Sequence, residues 1–115
     1  MPIKIKRAYE PPEAADGHRI LADRFWPRGL TKEKLRLDSW MRDLAPTKEL
    51  CKWFGHDPAK WEDFRKRYFK ELRAHGEQLD HLRRTAREGT VTLVFAAHDE
   101  EHNNAAALKT YLEEK

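Results

Sequence analysis

Ile3 and Ile5 alternate with Lys4 and Lys6, and this period of two predicts a strand over residues 3–7. The stretch from Tyr9 to Gly17 holds Pro11, Pro12 and Gly17, which exclude a regular helix or strand. Ile20, Leu21 and Ala22 then form a short apolar run that stops before Pro27, the pattern of a buried strand at 18–24. Thr31 reads as the N-cap of a short helix, with Leu30 and Leu35 spaced as a hydrophobic staple. Residues 37–44 (LDSWMRDL) show no clean apolar face, and we read a short strand or an irregular segment there, ended by Pro46. Thr47 caps a further helix with Leu50, Trp53 and Phe54 on one side.

The strongest helical pattern follows. Asp57 stands as N-cap and Pro58 at the first helical position, where its missing N–H costs nothing. Trp61, Phe64, Tyr68 and Leu72 recur at helical spacing up to Gly76, read as the stop. Leu79, Leu82 and Ala86 predict a second helix ending at Gly89. Residues 90–97 (TVTLVFAA) are dense in β-branched residues and uncharged, and predict a strand buried on both faces. Ala105, Leu108, Tyr111 and Leu112 share one side of a last helix over 103–114. Strands interleaved with helices predict an α/β fold, a small, mostly parallel sheet of about four strands with helices packed on it, in a single domain over 1–115. In such sheets ligands bind beyond the carboxyl ends of the strands.

Composition narrows the function classes. Of 115 residues 39% are hydrophobic, and four tryptophans set the chain apart from disordered sequences. No apolar run approaches a membrane span, and the opening MPIKIKRAYE lacks the apolar core of a secretory signal, so a cytoplasmic domain without a membrane partner is expected. The single cysteine, Cys51, permits no intramolecular disulfide, and beside Leu50, Trp53 and Phe54 it reads as a buried, incidental thiol. Lys and Arg number 23 against 20 Asp and Glu, but the signs interleave, as in Glu62 with Lys66 and Asp63 with Arg67. That differs from the one-sided stripe of a nucleic-acid binder. Lys4, Lys6, Arg7 and the run Arg65-Lys66-Arg67 keep a nucleic-acid-associated or regulatory module as the alternative, and a homo-oligomeric interaction domain as a third reading.

Charge gathers behind two strands: Asp23-Arg24-Phe25-Trp26-Pro27-Arg28-Gly29 after the second, and His98-Asp99-Glu100-Glu101-His102-Asn103-Asn104 after the last. Arg24 and Arg28 suit a carboxylate or phosphate held in a guanidinium fork. Trp26 offers a flat surface for a ring. Asp23, Asp99 and His102 are the candidate proton carriers, with Asp43, His56 and Asn103 as further ligand contacts. A plainly structural account exists for both segments: an Asp23–arginine tie with Trp26 in the core, and Asp99 capping the last helix. The string His98 to His102 also fits the H-x-x-E-H zinc pattern, but a first histidine at a strand end breaks the required helix face, so neither metal nor cofactor is expected.

The stretches RILADRFWPRG, WMRDLAPTKELCKWFGHDPAKWEDFRKRY and VTLVFAAHDEEHNNAAAL together resemble the YeaO-like family of uncharacterised bacterial proteins, over roughly residues 3–112. The resemblance places family positions on Asp23, Arg24, Trp26 and Arg28, on Trp40, Asp43, Gly55 and His56, and on Asp99, Glu101, His102 and Asn103. The chain departs from it at His98, where arginine is frequent, and at Arg42, where lysine is usual. The wider group tends to carry a cysteine in the final loop, and this chain has none there, so no thiol mechanism transfers. The family implies no demonstrated activity. The residues therefore lead to a strand-end cleft for an anionic small molecule, a nucleotide or phosphate ester, with hydrolase- or transferase-type chemistry left open.

Overall fold

The computed structural model describes residues 3–114. Strands β1 (Ile3–Arg7), β2 (His18–Leu21), β3 (Ser39–Trp40) and β4 (Val91–Phe95) form one sheet, parallel throughout, in the order β1-β4-β2-β3. Val91, Thr92, Leu93 and Val94 pair on both sides, Leu93 facing Ile5 on one and Ile20 on the other. β4 comes last in the chain and lies between the two longest neighbours. All five of its residues are buried, which is why its sequence tolerates no charge.

Among the described residues five α-helices pack around the sheet: α1 (Lys32–Leu35), α2 (Lys48–Phe54), α3 (Trp61–Leu72), α4 (Gly76–Glu88) and α5 (Asn104–Glu113). Alternation along the strands divides the core. Ile3, Ile20, Val91, Leu93 and Phe95 join the large cluster with Phe54, Phe64, Tyr68, Leu82 and Leu108 of α2–α5. Leu21 and Val94 point the other way and meet only Ala8 and Leu35, with Trp26, Leu30, Leu37 and Trp40 around them. The back face is therefore thin, and polar groups complete it. Arg19 is 3% exposed, and its Nη1 donates to Asp16 Oδ2 at 2.7 Å while Nη2 donates to the Leu35 carbonyl at 2.8 Å. Lys6 Nζ donates to both Asp16 oxygens at 3.1 Å, and Thr92 Oγ1 to the Asp16 carbonyl at 2.7 Å.

Local chemistry sets the boundaries. Thr31, Thr47 and Asp57 cap their helical turns, accepting from the N–H of Lys34, Leu50 and Ala59 respectively. Several boundaries differ from the sequence reading, and β4 runs Val91–Phe95 where the pattern predicts 90–97. β2 ends at Leu21, because the chain leaves the sheet once Ala22 N–H has bonded Val94 O at 2.9 Å. Only Ser39 and Trp40 of the 37–44 segment pair with β2. Gly76 keeps a right-handed helical φ of −55°, so α3 passes through a 3₁₀ turn at Arg73–His75 straight into α4. A glycine stops a helix through a positive φ, and without one it is only a weak helix former. Among the described residues no helix is long and apolar enough to cross a membrane.

Candidate functional site

β2 and β4 are neighbours and parallel, so the loops that leave their carboxyl ends emerge side by side. Asp23 fastens them together. Its Oδ2 accepts the Ala96 N–H at 2.9 Å, and its Oδ1 accepts from Asn104 Nδ2 at 3.1 Å. Burial raises the Asp23 carboxyl above its ordinary range, against the opposing pull of those two donors and of the His56 charge. Its carbonyl accepts Trp40 Nε1 at 2.8 Å.

Between the loops lies a cleft of about 1010 Å³, at the upper end of small-molecule sites. One wall is the loop after β2, from Asp23 to Arg28, with Tyr9 behind it. Tyr9 Oη donates to the Arg28 carbonyl at 3.0 Å, and Arg24 Nε to the Pro46 carbonyl at 2.9 Å, so the loop is tied at both ends. Gly29 turns it with φ 83°. The opposite wall is α2, which presents Lys48, Cys51 and Lys52 at i, i+3 and i+4 while Leu50 and Phe54 enter the core. Gly55 and His56 both adopt left-handed backbone, φ 55° and 57°, and bring His56 to the rim. Ala96, Ala97, His98 and Asp99 close the floor beside Phe54 and Phe64.

The sequence-derived candidates divide here. Asp23, Arg24, Trp26, Arg28, His56, Asp99 and Asn103 line the cleft. Trp26 is braced, its Nε1 donating to the Leu30 carbonyl at 2.7 Å and its ring packed at 64° on Trp40. Asn103 is 2% exposed and is the N-cap of α5, accepting from Ala106 N–H and donating to the Asp99 carbonyl. The cap is thus Asn103 and not Asp99. Asp99 folds the loop instead, with Oδ1 accepting the N–H groups of Glu101 and His102, which hold its carboxyl below the usual range together with the His102 imidazole at 2.8 Å. His102 lies outside the cleft lining, with its ring edge-on to Trp61 at 5.2 Å. Asp43 sits apart, itself exposed on a 3₁₀ turn at Arg42–Leu44 whose Leu44 is buried, beside a small pocket with Thr47, Glu71 and His75.

Two lysines were not foreseen. The sequence reading of that helix names only its cap and its apolar side; the i,i+4 spacing of Lys48 and Lys52 was the available signal, but spacing does not say what a helix face looks onto. Among the described residues no carboxylate pairs with Arg28, Lys48 or Lys52. Cys51 Sγ donates to the Pro46 carbonyl at 3.8 Å, and burial with the nearby Asp23 charge pushes its thiol up, away from the reactive thiolate. Of the basic groups elsewhere, Lys6 is held by Glu13 and Asp16, Arg7 by the carbonyls of Ala96 and Ala97, and Arg65 by Glu62.

Known proteins resemble the chain along nearly its whole length. Uncharacterized protein YeaO of Escherichia coli (strain K12) is 38% identical over 112 residues, covering 97% of each chain. An uncharacterised protein of Mycobacterium tuberculosis (strain ATCC 25618 / H37Rv) is 36% identical over 110 residues, 96% of this chain and 92% of its own. A counterpart in Mycobacterium bovis has the same identity and coverage. No solved structure matches. A family model described as the inactive DUF488-N3 subclade matches residues 2–115, and the chain belongs to that family, as a relative of the YeaO protein.

Proposed function

We propose that the cleft binds an anionic small molecule and does not turn it over. The observation that carries this is the unpaired charge on its walls. Arg24, Arg28, Lys48 and Lys52 face the same space, against only Asp23 and Asp99, so the lining has an excess of two positive charges with the imidazoles neutral. Both carboxylates are already spent on structure, Asp23 on Ala96 and Asn104, Asp99 on its own loop. A site with exposed cations of mixed geometry, lysine as a point charge and arginine as a fork, fits phosphate or carboxylate.

The absence of turnover in this reading follows from what the cleft groups are doing. Nucleophilic catalysis needs a nucleophile within reach of a free base. The Cys51 thiol is neutral and bonded to a carbonyl, and among the described residues neither His56 nor His98, the imidazoles that line the cleft, is hydrogen-bonded to it; His102, with its carboxylate partner, lies off the cleft. The family's description as an inactive subclade is in keeping with a retained pocket without chemistry.

A thermal-shift series tests it, with inorganic phosphate, ribose 5-phosphate and nucleoside monophosphates. Saturation at 100 Kd adds about 2.7 kcal/mol, or roughly 10 °C or more for a domain of this size. Lys48→Ala/Lys52→Ala and Arg28→Ala are expected to abolish the shift without changing the unliganded melting temperature. Shifts that survive both variants would sink the binding site. Product formation on prolonged incubation with a shifting ligand would overturn the claim of no turnover.

A further inference from the structure

Anion recognition leaves one feature of the cleft unexplained. Phe25 and Tyr9 are 55% and 45% exposed, the exposed large hydrophobic side chains among the described residues, and both stand on this cleft. Single exposed apolar residues need no explanation, but two rings on the rim of one cationic cleft do. The Tyr9 ring is held in place, and the backbone that carries Phe25 is fixed on both sides. Tyr9 is fixed through its hydroxyl to the Arg28 carbonyl at 3.0 Å, and the Arg7 guanidinium backs its ring at 5.3 Å. Phe25 stands between two anchored neighbours, Arg24 bonded to Pro46 O and Trp26 bonded to Leu30 O. The loop therefore leaves the Phe25 ring in water at the cleft, where it forgoes the gain of burial and is open to stacking.

We infer that the ligand joins a planar ring to its anionic group, and that the cleft takes a nucleoside monophosphate. The base lies against Phe25 with Tyr9 beside it, and the phosphate meets Lys48, Lys52 and Arg28. The excess of two positive charges matches the charge of a phosphate monoester near neutral pH, about −1.5 to −2. Trp26, the aromatic that the sequence singles out for stacking, is engaged with Leu30 and Trp40, so the platform falls to its neighbour. This inference rests on the anion-binding reading above.

Titration calorimetry separates the two. The probes are AMP, GMP and UMP as whole ligands and ribose 5-phosphate as the ligand without a base, on the wild type, Phe25→Ala and Phe25→Trp. Base stacking on an aromatic side chain is sequence-tolerant, so at least one monophosphate is expected to bind of the order of tenfold more tightly than ribose 5-phosphate. Phe25→Ala is expected to erase that advantage while leaving ribose 5-phosphate affinity intact, and Phe25→Trp to keep it. The ring is exposed, so unchanged circular dichroism and melting temperature show that the variants are folded. Equal affinity for ribose 5-phosphate and all three nucleotides, or an advantage that persists in Phe25→Ala, overturns the nucleotide assignment and leaves the anion site standing. Failure of every phosphate compound to bind overturns both.

Discussion

Asp23 shows how much a single side chain does at a strand end. Each of its oxygens accepts one bond, and the pair joins the β4 end and α5 to the β2 loop. Asp23→Ala leaves the Ala96 N–H without a partner, and urea unfolding is expected to register a loss of about 1–3 kcal/mol. Asp23→Asn keeps one acceptor and removes a buried charge, so its loss is expected to be smaller; an equal loss would show that the charge itself is needed. The ion cluster on the back face makes a second residue-scale prediction. Asp16 and Arg19 side chains are 6% and 4% exposed, and Asp16→Ala strands a buried guanidinium, at a cost of about 3 kcal/mol. Burial opposes the Asp16 charge, but the Glu13 N–H with Lys6 and Arg19 outweighs it and lowers the carboxyl. Burial likewise opposes the Lys6 charge, and Glu13 with Asp16 outweighs it and raises the amine. The lowered carboxyl stabilises the fold above its unfolded value of 3.8 and loses that contribution as pH falls through the lowered one. The raised amine contributes below 10.5 and is lost as pH climbs through the raised value. Unfolding measured from pH 7 down to pH 2 is therefore expected to show a steeper loss in the wild type than in Asp16→Ala.

At the scale of elements, the unequal cores set a hierarchy of stability. The α2–α5 side holds the large cluster, whereas α1 is four residues long and buries Leu35 against Leu21 and Val94. Amide exchange is expected to be slowest in β4, α3 and α4 and to proceed by local opening over α1 and the turn that follows it; uniform protection across the chain would contradict the division. Gly17 joins the back-face loop to β2 with φ +64°, and a Cβ there would collide with the Thr90 carbonyl, which accepts the His18 N–H. Gly17→Ala is thus expected to cost more than 1 kcal/mol in urea unfolding. These elements were legible to different degrees. The caps at Thr31, Thr47 and Asp57 and the strand β4 could be read because each is a local rule satisfied locally. The length of β2, the two-residue β3 and the passage of α3 into α4 could not. The first two depend on how far a neighbouring strand extends, and the third on the φ that packing imposes at Gly76.

At the scale of the whole molecule, the parallel sheet did most to make the site readable, because it brings segments some seventy residues apart to one end. The rule that ligands gather beyond the carboxyl ends of strands located Arg24 and Arg28 against Asp99 and Asn103. It said nothing about α2, since a crossover helix between β3 and β4 is free to lie anywhere on its face of the sheet until Arg24 fixes it through Pro46. That unforeseen wall carries two of the four cations, and its electrostatics allow a test independent of any ligand's identity beyond its charge. The chain as a whole has a formal charge of only +3 with interleaved signs, so attraction must come from the local excess in the cleft. Screening length falls from about 10 Å at 0.1 M salt to about 3 Å at 1 M. Affinity for inorganic phosphate, followed by calorimetry, is accordingly expected to drop several-fold over that range in sodium chloride. Lys48→Glu/Lys52→Glu turns the excess of two positive charges into a deficit of two and is expected to abolish binding. Because both lysines are exposed and unpaired, the same variant is expected to unfold within about 0.5 kcal/mol of the wild type. Binding that is indifferent to salt, or that survives the charge reversal, would mean that phosphate is held elsewhere and that the α2 wall plays no part in recognition.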